Sequence, residues 1–159
     1  MNLVMTTLGY VHSVISLVGI AAGFVVVRGM FHSQRREGWT QVFLLTTVAT
    51  SVTGFFFPFG TLLPSHKIGI LSLIVLAIAM VALYVRHLAG AWRWMYVVCA
   101  VLAQYFNCFV LVVQLFRRVT VLQTLAPTQS EPPFAITQLV VLLLFVWLGT
   151  RAVKRFHPA

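Results

Sequence analysis

Long apolar runs dominate the chain, and short polar connections separate them. There are five such runs, at residues 6–28, 41–59, 67–88, 94–116 and 133–151. Each run approaches or exceeds the about 20 residues that a helix needs to cross a bilayer core of roughly 30 Å. Because a backbone that crosses lipid must satisfy its hydrogen bonds within its own segment, each run is predicted to be a helix. The pattern predicts an all-α bundle of five transmembrane helices, with the second and fifth the shortest.

The composition supports a membrane protein. The chain has 159 residues, of which 60% are hydrophobic and only 8% are charged, whereas a soluble domain carries about 25% charged residues. We therefore expect a single integral-membrane domain over residues 1–159. The first apolar run is long and no basic stretch precedes it, so we interpret it as a retained helix rather than as a signal peptide.

The net charge of +9 predicts an orientation. The basic residues lie between the apolar runs, and this distribution argues against nucleic-acid binding. Eight of them belong to one side of the bundle, namely Arg28, Arg35, Arg36, Arg86, Arg93, Arg151, Lys154 and Arg155. Only Lys67, Arg117 and Arg118 belong to the other side. Because cytoplasmic connections are enriched in arginine and lysine, the N-terminus is predicted outside and the C-terminus in the cytoplasm.

Glu37 and Glu131 are the two acidic residues of the chain. Thr128 precedes Glu131 by three residues, a spacing typical of a capping box at the start of a helix. We therefore expect Glu131 to cap the fifth helix at its outer end. An alternative role is pairing with Arg117 or Arg118.

Polar side chains inside the apolar runs show where helices meet. His12 lies on the same helical face as Gly19 and Gly23, and these two glycines form a GxxxG pattern that favours close helix packing. The fourth run carries a stripe that comprises Gln104, Asn107, Leu111, Gln114 and Arg118. Two interpretations of this stripe remain open: hydrogen bonds between helices, or the lining of a ligand site.

Several polar residues fall at a similar depth when about 1.5 Å per residue is counted from each outer helix end. His12, Thr53, Gln114 and Gln138 lie one to two turns below the outer surface, His66 and Glu131 lie at that surface, and Asn107 lies deeper. Polar groups that converge in apolar surroundings are typical of a small-molecule pocket. The sequence thus predicts an outward-facing pocket that binds or transports a small ligand.

Two alternatives use the same residues differently. A membrane redox protein would bind haem b or a quinone, although His12 and His66 do not form a pair of clearly matched depth. An accessory subunit would only pack against a larger complex, and a homo-oligomer or a partner membrane subunit is expected for so thin a bundle. The chain shows no Gly-rich phosphate loop, and its two acidic residues do not form a catalytic carboxylate pair. We expect no metal site and no catalytic residue.

Three segments, TSVTGFFFPF, GAWRWMYVV and APTQSEPPF, resemble segments of small bacterial inner-membrane proteins that are uncharacterised. The resemblance spans most of the chain. It implies a compact helical protein of the bacterial inner membrane. It carries no established activity, so it assigns no functional residue.

Overall fold

A computed structural model of the protein describes residues 3–57 and 64–158. The helices are α1 (Leu3–Phe31), α2 (Glu37–Gly54), α3 (Pro64–Met80, continued by a π-helical turn at Val81–Val85), α4 (Trp92–Arg118), α5 (Thr120–Leu125) and α6 (Pro132–Arg155). No strand occurs in these two ranges. Within them, four helices are long and apolar enough to cross a membrane: α1, α3 with its π-helical turn, α4 and α6. The prediction of an all-helical chain with apolar helices that could span a membrane is therefore confirmed.

Helix α2 is shorter than the predicted run 41–59 and is not one of these four helices. Its 18 residues rise about 27 Å at 1.5 Å per residue. It begins with the polar residues around Glu37. At its end, the amides of Phe55 and Phe56 donate hydrogen bonds to the carbonyls of Val52 and Thr53. Residues 58 and 59 lie outside the described ranges, so a fifth crossing stays a prediction.

Helix α6 starts later than the capping-box pattern predicted. Its N-cap is Glu131, which is extended with φ −75° and ψ 155°, and Pro132 is the first helical residue. A proline disfavours the helical conformation in the residue before it, so the helix cannot begin on the N-terminal side of Pro132. The predicted box that begins at Thr128 is therefore wrong in its register.

The Glu131 carboxylate binds the preceding turn instead of the helix. Its Oε1 accepts hydrogen bonds from the Thr128 hydroxyl (2.8 Å) and the Thr128 amide (3.2 Å), and its Oε2 accepts one from the Ser130 amide (3.1 Å). The one ion pair in the described part of the chain joins Arg35 to Glu37 at 3.3 Å. The alternative pairing of Glu131 with Arg117 or Arg118 is therefore not formed.

Helices α1, α2, α3 and α4 form a ring in which each packs against its neighbours, and α6 packs outside this ring against α4 and α1. We call the end of the ring where α2 ends and α3 begins the upper end, and the opposite end the lower end. Most of the buried apolar core lies in the lower half, where Val26, Met30, Phe43, Val97 and Phe156 are nearly inaccessible. A smaller buried cluster, of Val112, Phe116 and Ala126, lies near the upper end of α4. The ring is thus closely packed below its middle.

The C-terminal residues close the lower end. Phe156 is 1% exposed, and its ring lies 5.9 Å from that of Tyr96 at the start of α4. Its carbonyl accepts a hydrogen bond from the Arg93 guanidinium, and the amide of His157 donates to the Ser33 hydroxyl at 2.7 Å. The tail therefore connects α4, α6 and the α1–α2 turn.

The two glycines of the GxxxG pattern contact different helices. A Cβ on Gly19 would lie 2.9 Å from Oγ1 of Thr46 in α2, and a Cβ on Gly23 would lie 2.0 Å from Oε1 of Gln104 in α4. Gln104 is fully buried, and its Nε2 donates to the Ile20 carbonyl at 2.8 Å. Gly23 therefore leaves the space in which the Gln104 amide reaches the α1 backbone.

We predict that Gly23→Ala destabilises the bundle by about 1–3 kcal/mol, because overpacking would force Gln104 to give up its hydrogen bond. Thermal unfolding in mild detergent measures this change. The control is Gly38→Ala, since Gly38 lies in α2 with no atom within 4 Å of its added Cβ. Combining Gly23→Ala with Gln104→Ala should cost less than the sum of the two single changes, and strict additivity would contradict the contact.

Candidate functional site

A cleft of about 580 Å³ opens in the upper half of the ring. Its walls are residues within 9–20 of α1, 50–57 of α2 and the turn after it, 66–72 of α3 and 106–118 of α4. Ligand pockets in proteins measure about 300–1,000 Å³, so this cleft has the size of a small-molecule site. We call it the upper cleft.

The floor of the upper cleft lies just above the contact of Gln104 in α4 with α1. Ile20 is its lowest lining residue on α1, and Phe106 is the lowest on α4. Gln104, which bonds the Ile20 carbonyl, lies directly below these two residues. The helices are thus held together beneath the cleft and are separated above it.

The upper cleft is open on one side, between α1 and α4. Leu17 of α1 and Leu115 of α4 both line it, yet they are 55% and 41% exposed. Side chains that line a cleft and remain exposed form its rim. The rim between α1 and α4 is apolar, and both helices are long and apolar enough to span a membrane.

His12 is the central polar group of the α1 wall. Its Nδ1 lies 2.8 Å from Oγ1 of Thr53, whose hydroxyl donates to the Ala49 carbonyl at 2.7 Å. Because a hydroxyl has a single hydrogen to donate, this pattern favours the tautomer in which Nδ1 of His12 is the donor. Nε2 of His12 is then an acceptor. Thr53 does not line the cleft itself but orients the histidine that does.

His66 approaches the same level from α3. It is 5% exposed, and its ring centroid lies 5.7 Å from that of Phe55. The His12 ring meets Phe57 edge-on at 5.2 Å. Both histidines therefore contact the residues that follow α2, and both line the upper cleft. Depths counted along separate helices could not predict that both histidines contact the segment after α2.

Some residues of the polar stripe of α4 form hydrogen bonds between helices, and others line the upper cleft. Gln104 serves helix packing below the cleft, as described above. Asn107 lines the cleft and donates from Nδ2 to Oγ1 of Thr47 at 3.1 Å. Gln114 lines it nearer the top, where its Oε1 accepts a hydrogen bond from Nε of Arg118 at 3.3 Å.

Two predicted site residues lie elsewhere. Gln138 is on α6, outside the ring, and its Nε2 donates to the Phe109 carbonyl of α4 at 3.2 Å. Glu131 is engaged by the turn before α6 and does not line the upper cleft. Depth along a helix can be counted from the sequence, but the side of α4 on which α6 packs cannot. Similar depth therefore did not bring these two residues to the cleft.

Arg117 and Arg118 line the top of the upper cleft, although the prediction assigned no ligand to them. The signal available in the sequence was the stripe itself, which ends at Arg118. Together with His12 and His66, the described lining of the cleft contains two arginines, two histidines and no carboxylate. The top of the cleft is therefore electropositive.

Comparisons of this chain with protein-family models, with curated proteins and with solved structures find no match. The resemblance to small bacterial inner-membrane proteins thus stays a prediction. Within residues 3–57 and 64–158, no group of three or more His, Cys, Asp or Glu side chains is placed to hold a metal ion.

We predict that the turn before α6 depends on pH through Glu131. Desolvation tends to raise the pKa of this carboxyl, but the Thr128 hydroxyl and the amides of Thr128, Ser130 and Glu131 lower it below its usual range. Since the folded pKa is depressed, the order that this carboxylate provides is complete above the unfolded pKa and is lost as the pH falls through the folded one.

The amide proton shifts of Thr128 and Ser130, followed by NMR from neutral to acidic pH, measure this transition. Glu131→Gln should remove the titration, and Glu37→Gln should leave it in place, because Glu37 binds Arg35 at the lower end. A midpoint at or above the usual pKa of glutamate would contradict the prediction.

Proposed function

We propose that this protein is a five-span protein of the bacterial inner membrane whose upper cleft faces outward and binds a small ligand. The supporting observation is the 580 Å³ upper cleft itself, which joins His12, His66, Asn107 and Gln114 within apolar walls. A mostly apolar cleft with a few convergent polar groups is the usual form of a ligand site.

The fifth crossing is supported by the way α2 follows α1. A Cβ on Gly29 would lie 2.7 Å from Arg36, and one on Gly9 would lie 4.0 Å from Phe57. Between these points, His12 bonds Thr53. The chain segment from Arg36 to Phe57 thus accompanies about 30 Å of α1, the depth of a bilayer core. Segments that lie side by side over that depth share the membrane.

The orientation rests on charge. Eight arginines and lysines belong to the lower end and three to the upper end. The rule that cytoplasmic connections are the more basic ones puts the lower end inside. The upper cleft then opens to the outside.

The polar groups of the upper cleft set the chemistry of the bound molecule. Nε2 of His12 offers an acceptor, while the hydroxyl of Ser16 is occupied by the His12 carbonyl at 2.7 Å. The hydrogen bonds described above use neither the amide oxygen of Asn107 nor the amide nitrogen of Gln114. These groups would fix the polar part of a ligand whose body lies against apolar side chains.

A redox role is the second candidate, and the meeting of His12 and His66 in one cleft favours it. The bond from Nδ1 of His12 to Thr53 resembles the orienting contact of a ligating histidine and leaves Nε2 for a haem iron. A quinone would instead accept hydrogen bonds from the amides. Either cofactor would occupy the same cleft.

We predict that a small molecule co-purifies with the protein in mild detergent and that His12→Ala lowers its content by up to about tenfold, the effect of losing one well-placed polar contact. Mass analysis of the extract measures the content, and a reducible Soret band in the absorption spectrum identifies haem.

The control is His87→Ala, because His87 is an exposed residue of the lower end. If His12→Ala unfolds, His12→Gln takes its place, because glutamine keeps a hydrogen-bonding group. An empty upper cleft in the intact protein would contradict the binding function and leave the accessory role.

We predict that a reporter fused after residue 159 is cytoplasmic and that one fused after Thr128 is outside. The first follows the basic tail, and the second follows the connection between α4 and α6. Reporter activity in cells measures each location. Both fusions on one side would contradict the crossing by α6, and exchanged sides would reverse the orientation of the upper cleft.

A further inference from the structure

The top of the upper cleft holds two arginines without a counter-charge. Arg117 and Arg118 are the last residues of α4, and both are exposed. The ion pair found in the described part of the chain lies at the other end, and the nearest acidic residue in sequence, Glu131, binds the Thr128–Ser130 turn. The Nε bond of Arg118 to Gln114 directs this side chain over the cleft. An anion at this position would meet no competing carboxylate of the lining.

Much of the wall below the arginines is apolar, and His12, Asn107 and Gln114 are among its polar residues. Ile20, Phe106, Val110 and Leu111 line the cleft from α1 and α4. A bound molecule with an anionic group at the arginines therefore places an apolar body beneath it. That description fits an amphiphile better than a fully polar solute.

The open side of the cleft indicates the route of access. The rim residues Leu17 and Leu115 belong to helices long and apolar enough to span a membrane, and in a membrane the gap between them would face hydrocarbon. A lipid chain can pass this gap without leaving an apolar medium. A polar solute would gain nothing from such a gap.

We propose that the ligand of the upper cleft is a membrane lipid with an anionic phosphate head group. Arg117 and Arg118 bind the phosphate, and one acyl chain enters between α1 and α4. Arginine forms paired, charge-assisted hydrogen bonds with phosphate oxygens, and these are among the stronger hydrogen bonds in proteins. The inference rests on the proposed function, because it names the ligand of the same cleft.

The test uses vesicles of phosphatidylcholine that contain phosphatidylglycerol with the same acyl chains. The full-length protein is reconstituted, extracted in mild detergent and analysed by native mass spectrometry for retained lipid. We expect phosphatidylglycerol to be enriched about tenfold over its share of the vesicle, as one charge-assisted contact allows. The double variant Arg117→Gln/Arg118→Gln should retain the two lipids in the vesicle ratio.

The matched control is Lys154→Gln/Arg155→Gln. These two residues are also an exposed basic pair in the last turn of a long helix, but they lie at the lower end. They should leave the enrichment unchanged. Equal loss in both double variants would show general attraction of anionic lipid to a basic protein and would overturn the inference.

A second pair of variants tests access from the side. Leu17→Trp narrows the gap and should lower the retained phosphatidylglycerol severalfold. Val14→Trp is its control, because Val14 is an exposed residue of α1 that does not line the cleft. Equal retention in both variants would contradict lateral access.

The failures of the two proposals differ. If a neutral molecule co-purifies and depends on His12 but not on Arg117 and Arg118, the upper cleft is a ligand site and the phosphate inference fails. If no molecule is retained and both lipids match the vesicle ratio in every variant, the binding function fails with it. Enrichment that depends on the arginines supports both.

Discussion

The buried amide of Gln104 links α1 and α4 in the ring of helices. A polar side chain in a bilayer needs a partner within the protein, and Gln104 finds one in the Ile20 carbonyl of α1. This bond forms only because Gly23 leaves room for the amide. It holds α1 and α4 together at one level, just below the middle of the bundle. The lower half packs around this contact, and the upper half is left to diverge.

The upper cleft is the consequence of that divergence. Along α2, helix α1 keeps contact from Gly29 to Gly9, whereas along α4 its side chains separate above Ile20. The space between is lined by polar groups that are bonded from behind, as His12 is by Thr53 and Asn107 by Thr47. Such backing restricts the rotation of the side chains that face the cleft. Contacts within the protein therefore hold these lining side chains in place.

Charge adds a direction to this geometry. The last turn of α4 brings Arg117 and Arg118 to the top of the cleft, while the carboxylate of Glu131 is occupied by the Thr128–Ser130 turn. Pro132 causes that arrangement, because it prevents the helix from extending back to Thr128 and leaves Glu131 extended. A local backbone rule thus keeps the acidic residue from neutralising the arginines. The electropositive top and the apolar walls together give the cleft an amphipathic character.

The sequence by itself determined the all-helical fold and the apolar helices that could span a membrane, because apolar length and the need for internal backbone hydrogen bonds depend only on the order of residues. It also indicated the level at which His12, His66, Asn107 and Gln114 would lie, since rise along a helix is constant. Only the tertiary structure decided which helices face one another. That choice depends on side-chain contacts between segments distant in sequence, such as Gly23 with Gln104, and it placed Gln138 behind α4 and not in the cleft.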